Sequence, residues 1–317
     1  MKTKILGAVA LSLGLTLGVC VGENTATKPL ADSLSQTAPN SAVGTIPPEI
    51  EKAMQMPEGK ERLDAISAAS PEWVKKDPTA ALAWAHQPKA IYKEYLNIIG
   101  NCGKIHGKLT ADWCVQNKQY ITLHKSLSSW VTADRAAAAE WCLQAPDEVR
   151  HIAFSSLGYF WGGKEPSAAA TWAAELKSLE DRRSMDYGIG SGWTAPRNGS
   201  VDFSGATAWA LGLKSQEERI SAIYGIGSGQ WGPRDFPAYT AWVKTLKNKE
   251  ELRVAAMVGI AKIPKDSGLD KSAKFDAEAN AKAWIDQLQL SDSDKAEILK
   301  TRPTITTHQT GKVAWPK

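Results

Sequence analysis

The amino-acid sequence predicts an all-α protein built from repeated pairs of helices, and three observations support this prediction. Tryptophans recur in pairs that are eleven residues apart, with an acidic residue four positions after the first tryptophan. Alanine-rich stretches follow these acids, and alanine has the highest helix propensity. The second tryptophans of successive pairs are 28 to 42 residues apart, which is typical of a helical-repeat array.

The tryptophans divide the chain into about seven units. Trp113 and Trp284 mark two units in which only the second tryptophan is present. The complete pairs are Trp73–Trp84, Trp130–Trp141, Trp161–Trp172, Trp231–Trp242 and the longer Trp193–Trp209. A single αα-hairpin cannot bury its apolar face, whereas stacked hairpins bury a continuous core. We therefore expect residues 46–300 to form a right-handed αα-hairpin solenoid with the tryptophans in its core.

Each unit is expected to hold two helices, and the acid between the tryptophans marks the start of the second helix. A carboxylate there accepts hydrogen bonds from the free N–H groups of the first helical turn. Proline follows the acid directly in DPTAALAW and EPSAAATW, and it fits the first helical position because no N–H is needed there. The predicted N-caps are Asp77, Asp134, Glu165, Asp202 and Asp235.

An arginine recurs in the first turn of the first helix of most units. It stands four residues before a position that is usually apolar, as Arg150 does before Phe154. This end of the helix lies beside the C-terminus of the preceding helix. We therefore expect the guanidinium to bind free carbonyl groups or a neighbouring acid. The arginines of this series are Arg62, Arg150, Arg182, Arg219 and Arg253.

The N-terminal segment is expected to direct export. Lys2 and Lys4 precede an apolar run over residues 5–19, so residues 1–22 are typical of a signal peptide. The run is too short to span a bilayer comfortably, since a spanning helix needs about 20 residues. The protein is therefore predicted to be periplasmic, anchored to the outer membrane as a lipoprotein, or secreted.

The fate of Cys20 decides between these locations. The sequence LGVC resembles a bacterial lipoprotein cleavage site, but Val19 replaces the usual small residue, so lipid anchoring and simple secretion both stay open. Residues 23–45 are polar and indicate a disordered, flexible tether. Residues 301–317 form a C-terminal tail outside the array.

Charge and composition restrict the class of partner. The formal net charge is +4, and lysines and acids are interspersed without a basic stripe. This pattern excludes nucleic acid as the expected partner. Membrane contact is expected only through a lipid on Cys20.

In unit length and helix–turn–helix plan, the array resembles the tetratricopeptide, Sel1-like and HEAT-like α-solenoids. It departs from the tetratricopeptide pattern, because the tryptophans end the first helix and lie within the second. It is most similar to the uncharacterised tryptophan-marked helical repeats of exported bacterial proteins. This resemblance implies a helical-repeat fold and supplies no catalytic residues.

The second unit breaks the pattern with cysteine and histidine. Cys102 stands where other units have tryptophan, His106 replaces the N-cap acid, and Cys114 follows Trp113. Exported cysteines usually pair, and a turn at Lys108 would bring the two helices together, so a Cys102–Cys114 disulfide is one prediction. The alternatives are free buried thiols and a rival pairing of Cys114 with Cys142. A metal site built on Cys102, His106 and Cys114 is the weakest alternative and is not the expected outcome.

The motifs GIGSGW at residues 188–193 and GIGSGQW at residues 225–231 are interpreted as helix-packing motifs. A phosphate-binding loop would follow a strand and contain a lysine, and neither condition is met. Glycine and serine permit close contact between helices.

Candidate binding residues cluster in the fifth and sixth units. Asp186 occupies a position that is apolar in other units. Three interpretations stay open: its carboxyl group is buried and has a raised pKa, it lies on a locally hydrated face, or it pairs with Arg182. The loop TAPRNGS at residues 194–200 is specific to one unit, as binding loops often are. The candidate binding residues are Asp186, Tyr187, Trp193, Arg197, Asn198 and Tyr224.

These features favour a non-enzymatic scaffold of the cell envelope that binds a protein or peptide partner. No catalytic residues, metal or cofactor are expected, because no nucleophile motif accompanies the histidines. The alternative is a glycan-binding protein, or a glycan-active enzyme, of the α/α-toroid type, in which helical hairpins close into a ring. Glycosidases need two carboxylates that face each other, and capping explains most of the recurring acids.

Overall fold

The protein is all-α in the computed structural model, which describes residues 45–86, 92–195, 201–229, 235–263 and 277–301. Sixteen helices and no β-strand are present within these ranges. None of these helices is both long enough and apolar enough to cross a membrane. The predicted all-α class is therefore confirmed.

The helices follow one another in a regular alternation of longer and shorter elements from α2 to α15. In chain order they are α1 (Pro48–Met54), α2 (Lys60–Lys76), α3 (Pro78–Ala85), α4 (Tyr92–Ile105), α5 (Gly107–Gln116), α6 (Tyr120–Ala133), α7 (Arg135–Gln144), α8 (Asp147–Gly162), α9 (Pro166–Ala174), α10 (Leu179–Trp193), α11 (Phe203–Leu211), α12 (Gln216–Ser228), α13 (Phe236–Val243), α14 (Lys249–Lys262), α15 (Ala277–Ile285) and α16 (Asp292–Lys300).

The even-numbered helices α2 to α16 form one row, in which each packs against the next. We call this the helix row. The odd-numbered helices pack beside it, against the even-numbered helices that adjoin them in chain order. Among the described helices, every substantial contact joins elements at most two positions apart in chain order. This pattern of neighbour contacts favours an open row over a closed ring.

The paired tryptophans pack against each other and close the core of each hairpin. The rings of Trp73 and Trp84 lie 5.7 Å apart at 70°, and both side chains are buried. The pairs Trp130–Trp141 and Trp161–Trp172 have centroid distances of 6.2 and 5.7 Å. The predicted core position is thus confirmed for the first two pairs, whereas Trp161 and Trp172 are half-buried against the core. Trp231 lies outside the described residues.

Three of the predicted N-caps are confirmed. An oxygen of each carboxylate accepts a hydrogen bond from the backbone N–H three residues later, which begins the short helix. These bonds are Ala80 to Asp77 at 2.9 Å, Ala137 to Asp134 at 3.0 Å and Gly205 to Asp202 at 2.8 Å.

The other two predicted N-caps, Glu165 and Asp235, also stand directly before their short helices, but the predicted side-chain bond is absent at both. Glu165 makes no side-chain cap bond to α9, and its carboxylate pairs with Arg135 instead. Glutamate is one methylene longer than aspartate, so it is a poor N-cap and reaches past the first turn. Asp235 also makes no side-chain cap bond, and its backbone is already helical.

Glycines allow three even-numbered helices to approach very closely. A Cβ on Gly188 of α10 would lie 2.2 Å from the carbonyl oxygen of Ser155 on α8. A Cβ on Gly225 of α12 would lie 2.1 Å from the carbonyl oxygen of Tyr187 on α10. The glycine-rich motifs therefore serve helix packing, as predicted, and leave no room for a phosphate group.

The recurring arginine binds both kinds of predicted partner. Nε and Nη2 of Arg150 donate to the two carboxylate oxygens of Asp181 over 2.7 and 2.8 Å. Nη1 of the same side chain donates to the carbonyl oxygen of Leu143 over 3.0 Å. One guanidinium therefore connects α8 with the end of α7 and with the first turn of α10.

The same inter-helix ion pair recurs along the helix row. In each case the arginine of one even-numbered helix reaches an acid on the next even-numbered helix. The further pairs are Arg62–Glu94, Arg182–Glu218, Arg219–Glu251 and Arg253–Glu297.

The series of ion pairs is interrupted around α6. Tyr95 stands at the arginine position of α4, and its hydroxyl is hydrogen-bonded to Thr122 at the acid position of α6. Nε2 of His86 lies 3.0 Å from the same threonine hydroxyl. Between α6 and α8, the equivalent residues are Leu123 and Val149, which are apolar and fully buried.

Candidate functional site

The side of the helix row that faces away from the odd-numbered helices is rich in hydroxyl groups. Positions two, five and nine residues after the recurring arginine lie on this side, because each helical residue turns by about 100°. On α8, α10 and α12 these positions hold serine or tyrosine, apart from Ile152. We call this surface the hydroxyl face: Ser155, Tyr159, Ser184, Tyr187, Ser191, Ser221, Tyr224 and Ser228.

Two stacked tyrosines lie at the centre of the hydroxyl face. The rings of Tyr187 on α10 and Tyr224 on α12 have centroids 5.5 Å apart and planes inclined by 29°. Burial raises the pKa of both phenols, and the hydrogen bond of Ser228 with each opposes that shift. Three hydroxyl groups therefore meet at one point between α10 and α12.

An aromatic cluster extends the site toward α6. The ring of His124 on α6 lies 4.9 Å from that of Phe160 and 6.2 Å from that of Tyr159, measured between centroids. Nδ1 of His124 lies 2.8 Å from the hydroxyl of Ser156. Tyr159 is also close enough to Tyr187 to contribute to the raised pKa of that phenol. The four helices α6, α8, α10 and α12 thus share one aromatic surface.

The histidines next to the hydroxyl face are neutral. Burial lowers the pKa of His124 to about 4, with a smaller contribution from Lys125. Burial also lowers the pKa of His151 to about 4. Nε2 of His151 is buried and has no hydrogen-bond partner among the described residues. Since a neutral imidazole has one donor and one acceptor nitrogen, this atom can bind a group of either kind, depending on the tautomer.

The hydroxyl face is largely buried. From Val149 to Gly163, from Asp181 to Ala195 and from Glu218 to Gly229, every described residue is buried or half-buried. The odd-numbered helices shield one side of each even-numbered helix, and its neighbours in the row shield two more. The remaining side is the hydroxyl face, where Tyr187 is only 7% exposed. Most of these hydroxyl groups are therefore shielded from solvent.

Asp186 is buried inside the array, next to the ion pair that connects α10 with α12. The side chain is 2% exposed, and Oδ2 has no hydrogen-bond partner among the described residues. Burial, with a smaller contribution from the charge of Glu218, raises the pKa of its carboxyl group to about 8, against the opposing effect of Arg182. Because this carboxyl group is shielded from solvent, it is poorly placed to act on a large substrate.

The other predicted binding residues either pack within the array or lie outside the described residues. Trp193 is half-buried, and its ring stacks on that of Trp209 at 5.8 Å. Its indole N–H donates to the cap residue Asp202 over 3.0 Å, so the contacts of Trp193 are structural ones. Arg197 and Asn198 lie outside the described residues, as does Cys20, and their predicted roles stay predictions.

The cysteines of the array are buried free thiols in the structure, which was one of the alternatives to the predicted disulfide. Cys102, Cys114 and Cys142 are all fully buried. Burial raises the pKa of Cys102 to about 12 and raises that of Cys114 above the usual range. The charge of Cys102 contributes to the shift of Cys114, so the two thiols are near each other. Within the described residues, no cluster of three histidine, cysteine or acidic side chains could hold a metal ion.

Several residues of the aromatic surface were not predicted from the sequence. They include His124, Tyr159 and Ser228, and the last two stand nine residues after the arginine position of their helices. The sequence signal for Tyr159 and Ser228 was their fixed distance from the arginine position. This signal identifies a common surface only when it is known which side of each helix faces the short helices.

Comparisons of the chain with protein-family models, with curated proteins and with solved structures find no significant match.

Proposed function

We propose that this protein is a non-enzymatic scaffold of the cell envelope, which binds a protein or peptide partner through the helix row. The proposal includes a right-handed solenoid of about seven hairpins, of the tetratricopeptide, Sel1-like or HEAT-like plan. Export rests on the N-terminal sequence, with Cys20 as the candidate site of lipid attachment.

The hydroxyl face is the observation that carries this proposal. Three successive helices present serine and tyrosine at equivalent positions, and the aromatic surface continues onto α6. Stacked hairpins are known for extended surfaces that hold polypeptides. Tyrosine suits such a surface because it offers contact area and a hydrogen-bonding group at a small cost in conformational entropy.

A glycan-binding protein is the second candidate, because hydroxyl and aromatic side chains also recognise sugars. A glycan-active enzyme is less well supported. Among the described residues near the face, the acid with a raised pKa is Asp186, which is 2% exposed, and its neighbour Glu218 is already paired with Arg182. The neighbour-only contacts of the helices also favour an open row over the ring of an α/α-toroid.

Site-specific photocrosslinking in the envelope of producing cells tests the proposal. A benzophenone amino acid replaces Tyr224 on the hydroxyl face or, as a control, the exposed Thr171 on α9. We expect a discrete protein adduct from position 224 and none from position 171. Equal labelling from both positions, or no protein adduct from position 224, would contradict a partner bound at the helix row.

A further inference from the structure

We infer that the part of the helix row formed by α4 and α6 binds an acidic, extended polypeptide segment through three lysines. This inference rests on the proposed function and specifies it further, because it names a surface and the chemistry of the partner. The surface lies on the side of the row that faces away from the odd-numbered helices. We call it the lysine strip: Lys93, Gly100, Lys104, Lys125, Ser128 and Ser129.

The fold brings the members of the lysine strip together from two helices. On α4, Lys93, Gly100 and Lys104 follow one another at intervals of seven and four residues, so they lie on one side of that helix. On α6, Lys125 and Ser128 stand two and five residues after the position equivalent to the recurring arginine, and these offsets face away from the short helices. Because α4 packs directly against α6, the three lysines share one surface.

The lysine strip is accessible to a ligand, unlike the hydroxyl face. The two lysines of α4 are exposed, and the other four members of the strip are half-buried. Within the described part of the chain, the hydroxyl groups of Ser128 and Ser129 have no hydrogen-bond partner. Both hydroxyl groups are therefore available to a ligand.

The three lysines have no structural role that explains their positions. Within the described ranges, Lys93, Lys104 and Lys125 form no ion pair. Lys93 is the second residue of α4, where the positive end of the helix dipole disfavours a cation. Lys125 is half-buried, and partial burial of an unpaired charge is unfavourable. An anionic ligand would offset both costs.

Neighbouring acids leave the strip with a positive charge. Asp64 on α2 is already paired with Lys60, and Glu94 on α4 is buried in its pair with Arg62. Glu148 in the first turn of α8 is exposed, and one acid does not neutralise three lysines. The charge of the strip is therefore complementary to an acidic partner.

Gly100 opens a notch in the lysine strip. A Cβ added there would lie 3.4 Å from Oγ of Ser129 and 3.9 Å from Cε of Lys125. In the interior of the described helices, this is the glycine at which an added Cβ meets no atom closer than 3.4 Å. Helix packing therefore does not require it, although glycine destabilises a helix interior. Glycine also permits close approach of a ligand, so we expect the notch to receive a carboxylate beside Ser129 and Lys125.

The spacing of the lysines favours an extended polypeptide over a small anion. Lys93 and Lys104 are eleven residues apart on α4, which is about 16 Å along the helix axis. A single phosphate or carboxylate group is too small to contact both ends of the strip. An extended chain covers this distance with about five residues, so a segment that carries several acidic side chains can reach all three lysines.

Fluorescence anisotropy with labelled peptides tests the inference. The probes are twelve-residue peptides of alternating glutamate and serine, and matched peptides of alternating glutamine and serine. At 50 mM salt we expect the glutamate peptide to bind at least about tenfold more tightly than the glutamine peptide. At 500 mM salt the difference should fall below about twofold, because salt screens exposed charges.

Matched double variants locate the binding surface. Lys104→Gln combined with Lys125→Gln removes two charges from the strip, and the Kd of the glutamate peptide should rise at least about fivefold. Lys214→Gln combined with Lys247→Gln removes the same charge from exposed positions before α12 and α14. This control should change the Kd less than about twofold.

The variant Gly100→Ala separates binding from folding. Because the added Cβ has room, the melting temperature should stay the same or rise. The filled notch should nevertheless raise the Kd of the glutamate peptide at least about threefold. Thermal melting followed by circular dichroism measures the stability of all variants. A lower melting temperature with an unchanged Kd would show that Gly100 serves packing and would contradict the notch.

The outcomes separate this inference from the proposed function. Equal affinity for the two peptides, or equal effects of the two double variants, would overturn the inference. If vesicles of phosphatidylglycerol bind through Lys104 and Lys125 and the glutamate peptide does not bind, an anionic membrane replaces the polypeptide. A crosslink at position 224 without peptide binding leaves a scaffold that uses another part of the helix row. Peptide binding without that crosslink supports the lysine strip and contradicts a partner on the hydroxyl face.

Discussion

Arg219 and Glu251 connect the first turns of α12 and α14 through a hydrogen-bonded ion pair of 3.1 Å. The same arginine donates to the carbonyl oxygen of Leu213, which follows α11, over 2.9 Å. Because Glu251 is almost fully buried, this pair is shielded from the water that weakens surface ion pairs. One side chain therefore fixes the relative position of three helices.

Replacing this arginine should destabilise the array strongly. Arg219→Met leaves the carboxylate of Glu251 buried without its partner, which costs about 3–5 kcal/mol of unfolding free energy. Urea unfolding followed by tryptophan fluorescence measures the effect. Arg135→Met is the matched control, since the pair Arg135–Glu165 is partly exposed and should contribute less than about 1 kcal/mol.

The double variant Arg219→Met, Glu251→Met checks the physical reason. Apolar side chains of similar volume can replace a buried ion pair at little cost, so we expect a stability within about 1 kcal/mol of the original protein. If the double variant is as unstable as Arg219→Met, the uncompensated charge of Glu251 is not the cause of the lost stability.

Asp186 should make the stability of the array fall as the pH rises. Its folded-state pKa of about 8 is above the value of 3.8 expected for an unfolded chain, so the folded state keeps a proton that the unfolded state has lost. The contribution of Asp186 to the free energy of unfolding is fully present below pH 3.8. It decreases by about 1.4 kcal/mol for each pH unit until the pH reaches about 8.

The variant Asp186→Asn isolates this contribution, because it keeps the shape of the side chain and cannot ionise. The difference in unfolding free energy between the variant and the original protein should grow in favour of the variant between pH 4 and pH 8. Urea unfolding at pH 4, 6 and 8 measures it. A difference that is constant over this range would show that the carboxyl group ionises in the folded protein as it does in water.

The parts of the fold that follow local rules could be predicted from the sequence. The helix pairs, the tryptophan core and the aspartate caps depend on residues that are close together in the sequence. The acidic partner of the arginine also had a signal that was missed, since Asp181 and Glu218 each stand one residue before an arginine of the series. Of the hydroxyl face, only Tyr187 and Tyr224 were among the predicted binding residues. The rest was missed, because the extent of the face depends on how each helix is rotated relative to the short helices.

The close approach of α8 and α10 should make Gly188 intolerant of any side chain. In Gly188→Ala the Cβ would meet the carbonyl oxygen of Ser155 at 2.2 Å, so the two backbones must separate. We expect a loss of at least about 2 kcal/mol in unfolding free energy. Gly212→Ala is the control, since Gly212 has a helical backbone and is exposed, and it should change stability by less than about 1 kcal/mol. Equal effects of the two variants would contradict close helix contact at Gly188.

The buried thiols should be unreactive in the folded protein. A thiolate is the reactive form, and burial raises the pKa of Cys102 to about 12 and raises those of Cys114 and Cys142 further. At pH 7.5, alkylation of these residues by iodoacetamide should be more than about a hundredfold slower in the folded protein than in 8 M urea. Peptide mapping by mass spectrometry without reductant identifies each site. Complete labelling in urea without reductant is the expected result, whereas a linked peptide that contains Cys102 and Cys114 would restore the disulfide that the sequence predicts.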